Sequence, residues 1–518
     1  MRVKRALITV ANKDKLVNFA KRLEKLGVEI ISTGKTYELL VKNGIKAKKV
    51  SDEIGFPEIL DGRVKTLHPK IHGALLSVRS RESHKEELEK YGIKPIDMLV
   101  CNLYPFPEVI AREHSLEEAI ENIDVGGPAL IRAAAKNFKD VIVITSPDRY
   151  DEIISDLETK GDVSLEKRRE LAAEAFKMVS SYDFLVFKYL SNPEKDEFPD
   201  ILDLRFRKLR ELRYGENPHQ RAYLYSELNP KSSSILKAKQ LHGKKLSFNN
   251  YLDLDAALSL IAEFEKPSCV IIKHTNPCGV ASASTLREAY ELAFSCDPIS
   301  AFGGILGFNR ELDEEVAKEI VKNFYDAILA PSYSEEALEI LKIKKNLILL
   351  ELKAMKNFCK DSKLSKFEIK QISSGLLVQE VDAHSCNDIF SAMEVVTEKK
   401  PSKDEIIAMN FAWKVVRHVK SNAAVIAKGE RTLAIASGFT SRVEAVANAI
   451  EKSRESCKNA VLASEAFFPF RDSVDIAAEA GITAIIQPGG SIRDKEVINA
   501  ANEHGIAMVF TNLRCFKH

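Results

Sequence analysis

Cysteine pairs, net charge and long apolar runs are all scarce in this chain of 518 residues. The eight cysteines include no Cys-x-x-Cys pair, so neither a zinc cage nor a disulfide framework is indicated. The formal net charge of +1 gives no basic field for nucleic acid. The apolar run "ALITVA" near the N-terminus is too short for a signal peptide or a membrane span. We therefore expect a cytoplasmic protein with reduced thiols and neither a nucleic-acid nor a membrane partner.

The length and the pattern of elements favour a multidomain α/β protein. A chain of 518 residues is too long for one core. Short β-branched runs alternate with helical patterns from the start, which predicts a parallel sheet covered on both faces. A long helix over 165–190 is followed by the polar, proline-containing stretch "SNPEKDEFPD". We place a domain boundary there and predict domains over 1–197 and 198–518.

The second domain repeats one local arrangement. A predicted helix over 252–264 leads into the strand "CVIIKH", and a predicted helix over 405–419 leads into "AAVIAK". Each passage also carries a Lys or Asn cluster, "KHTNPCG" or "VKSNAAV". This favours two related α/β units.

The stretch "IISTGKT" (30–36) ends like a triphosphate-binding loop. The full pattern needs a glycine five positions before the Gly-Lys pair, where this chain has Glu29. A carboxylate there would repel phosphates, so a nucleoside-triphosphatase is disfavoured. A strand, a small-residue turn and a helix starting near Thr36 can still point free N–H groups at one phosphate. An ordinary strand-to-helix turn is the alternative.

Polar residues of the first domain concentrate in "GRVKTLHPKIHG", "CNLYPF" and "IDVGGPALIRAAAKN". These stretches lie at predicted strand ends, where open α/β sheets build ligand sites. The candidate side chains are three cations, two carboxylates and a phenol: Arg63, Lys65, Lys136, Asp61, Asp124 and Tyr104. A lysine-bearing surface with a routine turn is the alternative.

In the second domain, Lys273 and His274 follow a buried-looking strand and precede a predicted Pro-Cys-Gly turn. A histidine there can act as a general base, because its ordinary pKa is near neutrality. A structural histidine is the alternative. A zinc deaminase would need a second cysteine after Pro277-Cys278, and Gly-Val-Ala follows instead. A zinc site is therefore not expected.

Taken in order, the motifs "GRVKTLHPKIHG", "RYGENPHQ", "KHTNPCGVA", "AFFPFRD" and "TNLRxFxH" resemble one family over nearly the whole chain. That family is the bifunctional purine-biosynthesis proteins, which combine a formyltransferase with IMP cyclohydrolase. The resemblance implies a methylglyoxal-synthase-like parallel-sheet domain followed by a transformylase region of two cytidine-deaminase-like α/β units without zinc. It also implies formyl transfer from 10-formyltetrahydrofolate to AICAR ribonucleotide, then closure of the formylated intermediate to IMP. A homodimer without a metal requirement is implied as well.

For formyl transfer, the resemblance makes His274 the base and Lys273 the stabiliser of charge on the formyl oxygen. A poorly nucleophilic amine needs a proton acceptor, and a tetrahedral oxyanion needs a fixed donor. The implied nucleotide contacts are Arg213, Tyr214, Gly303, Asp326, Asn422, Arg442, Phe467 and Arg514. The implied folate contacts are Asp472, Ser491 and Ile492.

For ring closure, the resemblance places chemistry at Lys65, Tyr104, Asp124 and Lys136. The implied nucleotide contacts are Lys13, Thr33, Gly34, Lys35, Thr36, Arg63, Val64, Thr66, Cys101, Asn102 and Val125. By this resemblance "STGKT" is a cradle for one phosphate.

Two residues depart from the family pattern. Lys35 stands where a second glycine is usual, which adds a cation near the phosphate. Phe439 stands in the loop where the family has a glutamine, which affects the ligand contacts expected near Arg442. Two other functions stay open as alternatives: a non-catalytic sensor in the first domain, and a triphosphate-driven ligase.

Overall fold

The computed structural model describes residues 3–191, 198–228, 230–358, 367–382, 393–453 and 457–518. Its contacts divide the chain into two compact units, Met1–Leu202 and Asp203–His518. The predicted boundary after residue 197 falls on residues 192–197, outside the described part, and stays a prediction. None of the described helices is long and apolar enough to cross a membrane.

The first unit is built around a five-stranded sheet in the order β3-β2-β1-β4-β5, and every neighbouring pair is parallel. Its strands are β1 Arg5–Thr9, β2 Glu29–Ser32, β3 Ala47–Lys49, β4 Met98–Cys101 and β5 Ile142–Ile144. Its helices are α1 Leu16–Lys25, α2 Gly34–Lys42, α3 Val50–Ile54, α4 Pro69–Leu76, α5 Glu82–Lys90, α6 Phe106–Ile110, α7 Leu116–Glu121, α8 Gly126–Lys136, α9 Tyr150–Lys160 and α10 Leu165–Leu190. The predicted parallel sheet is confirmed.

The apolar stripe of α1 shows how the sequence specifies this layer. Leu16, Phe19, Ala20 and Leu23 recur at helical spacing and are all buried. Strand β4 is buried along its whole length, as expected for a parallel strand covered on both faces. The predicted helix over 165–190 is confirmed as α10.

The second unit contains a twelve-stranded sheet in the order β16-β21-β20-β19-β17-β18-β10-β9-β11-β12-β13-β8. Residues 206–351, here called the first repeat, contribute β6 Phe206–Glu211, β7 Tyr223–Glu227, β8 Lys239–His242, β9 Ser268–Lys273, β10 Asn276–Ser282, β11 Ile305–Phe308, β12 Ala327–Ala330 and β13 Ile348–Glu351. Their helices are α11 Phe248–Ile261, α12 Leu286–Cys296, α13 Pro298–Ala301, α14 Glu314–Ile320 and α15 Glu335–Lys342.

Residues 367–510 are here called the second repeat, and their described helices and strands follow one another in the same order as those of the first repeat, with no counterpart of α13 among the described residues. Their strands are β14 Phe367–Ile372, β15 Gly375–Glu380, β16 Glu394–Val395, β17 Ala424–Lys428, β18 Arg431–Ala436, β19 Ala460–Ala463, β20 Ile482–Gln487 and β21 Ala507–Phe510. Their helices are α16 Lys403–Val416, α17 Arg442–Lys452, α18 Asp472–Glu479 and α19 Asp494–Glu503.

The two repeats meet at the centre of the sheet, where β10 and β18 pair antiparallel. Outward from this junction, each half has the first strand of its hairpin, three mutually parallel strands and an antiparallel edge strand. The prediction of two related α/β units is confirmed. Their likeness to cytidine deaminases stays a prediction.

Three sequence expectations need correction. Helices α11 and α16 begin earlier than predicted, because Ser247 and Ser402 form capping boxes at their N-termini, and they also end earlier, at Ile261 and Val416. The expected turn at Pro277-Cys278-Gly279 is wrong, since these residues lie within β10. A register shift next to Pro277 accommodates the proline. A Cβ on Gly279 would lie 1.9 Å from the carbonyl oxygen of Ala293, so this glycine permits close packing of α12.

Candidate active sites

The carboxyl ends of β1 and β2 form a threonine-lined edge in the first unit. The hydroxyls of Thr9 and Thr33 lie 3.0 Å apart. Thr36, in the first turn of α2, accepts from the amide of Val10 at 3.2 Å and donates to its carbonyl at 3.0 Å. These contacts fix the N-terminus of α2 beside the end of β1, where its free N–H groups can receive an anion. Lys35 is exposed on the same turn.

Asn102 shapes the loop after β1 from the end of β4. Its side-chain oxygen accepts from the amides of Ala11 at 2.7 Å and Asn12 at 3.0 Å. The ammonium of Lys13 donates to the carbonyl of Ala11 at 3.2 Å. The structure therefore brings Lys13 and Asn102 to the edge that holds Thr33 and Thr36. Cys101 is buried, and burial raises the pKa of its thiol.

Lys65, Tyr104 and Asp124 form a cluster at this edge. The Lys65 ammonium donates to the Tyr104 hydroxyl at 3.1 Å. Burial raises the pKa of the Asp124 carboxyl, while the amides of Gly127 and Tyr104 and the Lys65 charge oppose that rise. The Gly127 amide donates to Asp124 at 2.7 Å. A carboxyl whose pKa is raised by burial, beside a cation and a phenol, is a candidate for proton transfer.

Two glycines let α8 start close to this cluster. A Cβ on Gly127 would lie 2.5 Å from a carboxylate oxygen of Asp124, and a Cβ on Gly126 would lie 3.2 Å from the hydroxyl of Thr66. Thr66 is buried, whereas Val125 is exposed.

Lys136 lies at the far end of α8 from the cluster. Lys136 is the last residue of α8, which places it about 15 Å along the helix axis from Gly126. It lines a groove with Phe138 and Phe176. Arg63 pairs with Glu121 at an exposed position, and Val64 bridges back to Ile59.

In the second unit, Lys273 is the last residue of β9, and His274 begins the turn between β9 and β10. The Lys273 ammonium donates to the carbonyl of Phe302 at 2.8 Å. His274 and Thr275 form the two-residue turn with φ of 53° and 64°. The amide of Thr275 donates to the carboxylate of Asp253 at 2.6 Å.

The second repeat contributes residues next to this turn. The side-chain oxygen of Asn276 accepts from the amide of Lys420 at 3.0 Å, and its nitrogen donates to the carbonyl of His274 at 3.1 Å. Asn422 exchanges two backbone hydrogen bonds with Phe439, at 3.1 and 3.2 Å. Both contacts use the backbone of Phe439, so they do not depend on the side chain at this position.

The Arg442 side chain is buried and holds Asn422 in place. Its guanidinium donates to the side-chain oxygen of Asn422 at 2.7 Å and pairs with Glu465. Glu465 has no exposed surface, and it also accepts from the hydroxyl of Ser421 at 2.5 Å. Arg442 thus orients Asn422, whose side-chain nitrogen donates to the carbonyl of Phe439 at 2.9 Å.

Gly303 and Asp326 lie on adjacent loops of the first repeat. The Gly303 amide donates to the carbonyl of Phe324 at 2.8 Å. Asp326 accepts from the Lys244 ammonium at 2.9 Å and faces the Asn250 amide nitrogen at 3.5 Å. Asp326 also lies within electrostatic range of Asp253. The structure therefore groups Asp326 with the turn that carries His274.

The other predicted contacts lie at loops and strand ends. Arg213 donates to the hydroxyl of Tyr214 at 2.5 Å, and the Arg514 guanidinium lies 4.3 Å from the ring centre of Phe516. Asp472 is the first residue of α18. Phe467 is partly exposed and Ile492 is fully exposed. The Ser491 amide donates to Asp494 at 3.1 Å.

Asp253, Lys244 and Glu465 were missed from the sequence. Glu465 could have been identified, because it lies two residues after the apolar run "AVLA", where polar residues at a strand end form ligand sites. For Asp253 the only signal in the sequence was its helical spacing from Asn250, three residues earlier. Within the described ranges, no group of three or more His, Cys, Asp or Glu side chains is placed to hold a metal ion.

Comparison with known proteins finds two family matches. Residues 134–452 match the AICARFT/IMPCHase bienzyme family, and residues 15–129 match the MGS-like domain. The chain is 51% identical to the bifunctional purine biosynthesis protein PurH of Acetivibrio thermocellus over 100% of both chains. It is 50% identical to PurH of Caldicellulosiruptor saccharolyticus, over 99% of this chain and 100% of the relative. It is 48% identical to PurH of Bacillus subtilis over 100% of both chains.

Proposed function

Because the chain belongs to the AICARFT/IMPCHase bienzyme family, we propose a division of its two reactions between its two units and a set of residues for each. The chain is a bifunctional enzyme of purine biosynthesis that catalyses the last two steps of IMP synthesis. AICAR formyltransferase activity is assigned to residues 198–518, and IMP cyclohydrolase activity to residues 1–197.

The observation that carries the formyltransferase proposal is the two-residue turn at His274 and Thr275. This turn carries His274 directly after Lys273, and the neighbouring Asn276 accepts a hydrogen bond from the second repeat at Lys420. The 5-amino group of AICAR ribonucleotide is a weak nucleophile, because its lone pair is delocalised into the imidazole ring. His274 accepts the amine proton as the new N–C bond forms, an effect worth about 10²–10⁴-fold.

Lys273 stabilises the tetrahedral oxyanion formed at the formyl carbon. An ammonium has three donors, and the carbonyl of Phe302 takes one of them. The remaining donors can face the oxygen on which charge develops. When the oxyanion collapses, the folate nitrogen leaves and His274 returns the proton to it.

The family uses formyl-folate as co-substrate, and we assign 10-formyltetrahydrofolate as the formyl donor of this chain. Asp472, Ser491 and Ile492 are the proposed folate contacts. Arg213, Tyr214, Gly303, Asp326, Asn422, Phe467 and Arg514 are the proposed contacts to the nucleotide, with Arg442 orienting Asn422. A homodimer and a cytoplasmic location stay predictions, as does independence from a metal.

Ring closure is proposed for the cluster of Lys65, Tyr104 and Asp124. The carboxamide nitrogen attacks the formyl carbon of the same molecule, so correct positioning supplies much of the rate. Asp124, with its raised pKa, exchanges the protons, while Lys65 and Tyr104 stabilise the oxygen that departs as water. The N-terminus of α2, with Thr33 to Thr36, receives the phosphate.

The assignment of Lys136 to ring closure rests on the family resemblance alone. Helix α8 holds this residue about 15 Å along its axis from the end that carries Asp124. Lys65→Met is therefore expected to slow ring closure more than Lys136→Met does if each chain completes its own site.

The experiment that tests the division measures both reactions in the same variants. His274→Asn should abolish most formyl transfer from 10-formyltetrahydrofolate and leave closure of the formylated intermediate intact. Asp124→Asn should do the reverse. Equal loss of both activities in a well-folded variant would contradict separate sites. A first unit that binds the intermediate without closing it would favour the sensor alternative.

A further inference from the structure

The turn that carries His274 is conformationally unusual. Both of its residues have positive φ, 53° at His274 and 64° at Thr275, as in a type I′ hairpin turn. Such turns favour Asn and Gly, because a Cβ makes the left-handed region unfavourable. A β-branched residue such as Thr275 is especially disfavoured there. Something outside the turn must hold it.

The second repeat contains the same hairpin in a relaxed form. Strand β17 ends at Lys428, whose ammonium donates to the carbonyl of Lys458 just before β19. Lys273 makes the corresponding bond to Phe302, just before β11. The turn after Lys428 consists of Gly429 and Glu430, and only Gly429 has positive φ, 58°. Glycine adopts this conformation without a steric penalty.

The helices beneath the two hairpins differ at one informative position. α11 and α16 are both 14 residues long, and each is capped by a serine, Ser247 or Ser402. The same number of residues separates each serine from the lysine that ends the following strand. Counted from these serines, Asp253 in α11 corresponds to Ala408 in α16. The helix that follows Ser247 therefore has a carboxylate at this position, near the strained turn, whereas the helix that follows Ser402 has an alanine there.

Asp253 makes the contacts expected of such a support. Its carboxylate accepts the Thr275 amide at 2.6 Å. Burial raises its pKa, and the Thr275 amide, the His274 charge and the His274 amide oppose the rise. Asn250, three residues earlier on the same helix face, reaches Asp326. One face of α11 therefore joins the turn of His274 to a proposed nucleotide contact.

We propose that Asp253 is a positioning residue for formyl transfer, which holds the His274–Thr275 turn in its left-handed conformation so that the imidazole faces the amine. This inference rests on the proposed role of His274. The carboxylate acts through its hydrogen bond to the backbone, so any side-chain oxygen in the same place can substitute for it.

The test combines three variants with steady-state kinetics of both reactions. Asp253→Ala should lower kcat for formyl transfer about 10- to 100-fold, as expected for a displaced catalytic group, with KM for AICAR ribonucleotide changed about twofold or less. Asp253→Asn should retain most of the rate, because its amide oxygen can accept the Thr275 N–H. Adding Thr275→Gly to Asp253→Ala should restore most of the rate, because glycine adopts the positive φ at this position without the steric penalty that threonine has.

Two controls separate the possible failures. Asp313→Ala removes a carboxylate that accepts a backbone amide (Val316, 3.0 Å) at the start of α14 and should leave kcat unchanged. Closure of the formylated intermediate reports folding of the first unit, and the thermal unfolding transition of each variant, compared with that of the parent, reports folding of the second unit. Full formyl transfer by Asp253→Ala, or no recovery on adding Thr275→Gly, would overturn the inference. Full formyl transfer by His274→Asn would instead overturn the proposed function.

Discussion

Arg442 donates to the side-chain oxygen of Asn422 at 2.7 Å, and the same guanidinium is paired with Glu465, which has no exposed surface. The proposed nucleotide contact of Asn422 therefore depends on a buried charge that solvent does not reach. Asn422 is thus the side chain proposed to contact the ligand, while the ion pair of Arg442 and Glu465 holds Asn422 in place. Substitutions in the pair are expected to affect stability as well as formyl transfer.

Glu465→Gln should lower the free energy of unfolding of the second unit by about 3 kcal/mol, because it leaves the buried Arg442 charge unpaired. Calorimetry should record this as a lower transition temperature. The exposed pair of Lys318 and Glu314 supplies the control, since Lys318→Gln breaks an ion pair at the surface and should leave the transition unchanged. Equal shifts in the two variants would contradict a buried ion pair at Arg442.

His274→Asn should lower kcat for formyl transfer about 10²–10⁴-fold, which is the usual contribution of a general base. Asparagine is the informative replacement, because it tolerates the left-handed backbone of this turn better than alanine does. Ring closure by the same preparation should be unchanged. Near-normal formyl transfer would remove His274 from the mechanism.

Lys273→Met should lower kcat for formyl transfer about 10²–10³-fold, as loss of one oxyanion donor does. The second repeat supplies a matched control. Lys428→Met loses the same kind of bond, from a strand-ending lysine to a backbone carbonyl, at 3.3 Å. We expect Lys428→Met to leave formyl transfer within about twofold, and equal losses would mean that Lys273 acts only as a scaffold.

The pH dependence of ring closure should report Asp124. Burial raises the pKa of this carboxyl, and the Lys65 charge lowers it. Removing that charge by Lys65→Met should therefore raise the pKa further and move the acid limb of the rate profile to higher pH. Rates of closure of the formylated intermediate measured across that limb test this. If the acid limb stays in place or moves to lower pH, the titration of Asp124 does not control the rate of ring closure.

Gly127→Ala should slow ring closure at least about tenfold and spare formyl transfer, because a misplaced catalytic group loses rate steeply. The added Cβ would lie 2.5 Å from the Asp124 carboxylate and must displace it. Gly126→Ala, whose Cβ would lie 3.2 Å from Thr66, should have a smaller effect. If Gly126→Ala slowed ring closure more than Gly127→Ala does, the placement of Asp124 would be contradicted.

Much of the fold was predictable from the sequence, because buried helix faces and strands are encoded in the local spacing of apolar residues. The stripe of Leu16, Phe19 and Leu23 is of this kind, and so are the strand runs that end at Lys273 and Lys428. The support of Thr275 by Asp253 was not predictable, since it joins residues from different elements. Pro277-Cys278-Gly279 was misread as a turn, because a register shift and the close approach of α12 are tertiary features.

The most direct test of the account is production of IMP from the formylated intermediate alone, without folate or ATP, by the parent enzyme and by His274→Asn. Two separate sites predict equal rates of IMP formation by both proteins, with formyl transfer lost only in the variant. A comparable fall in IMP formation by folded His274→Asn, or no IMP from the folded parent, would contradict the assignment of ring closure to the first unit.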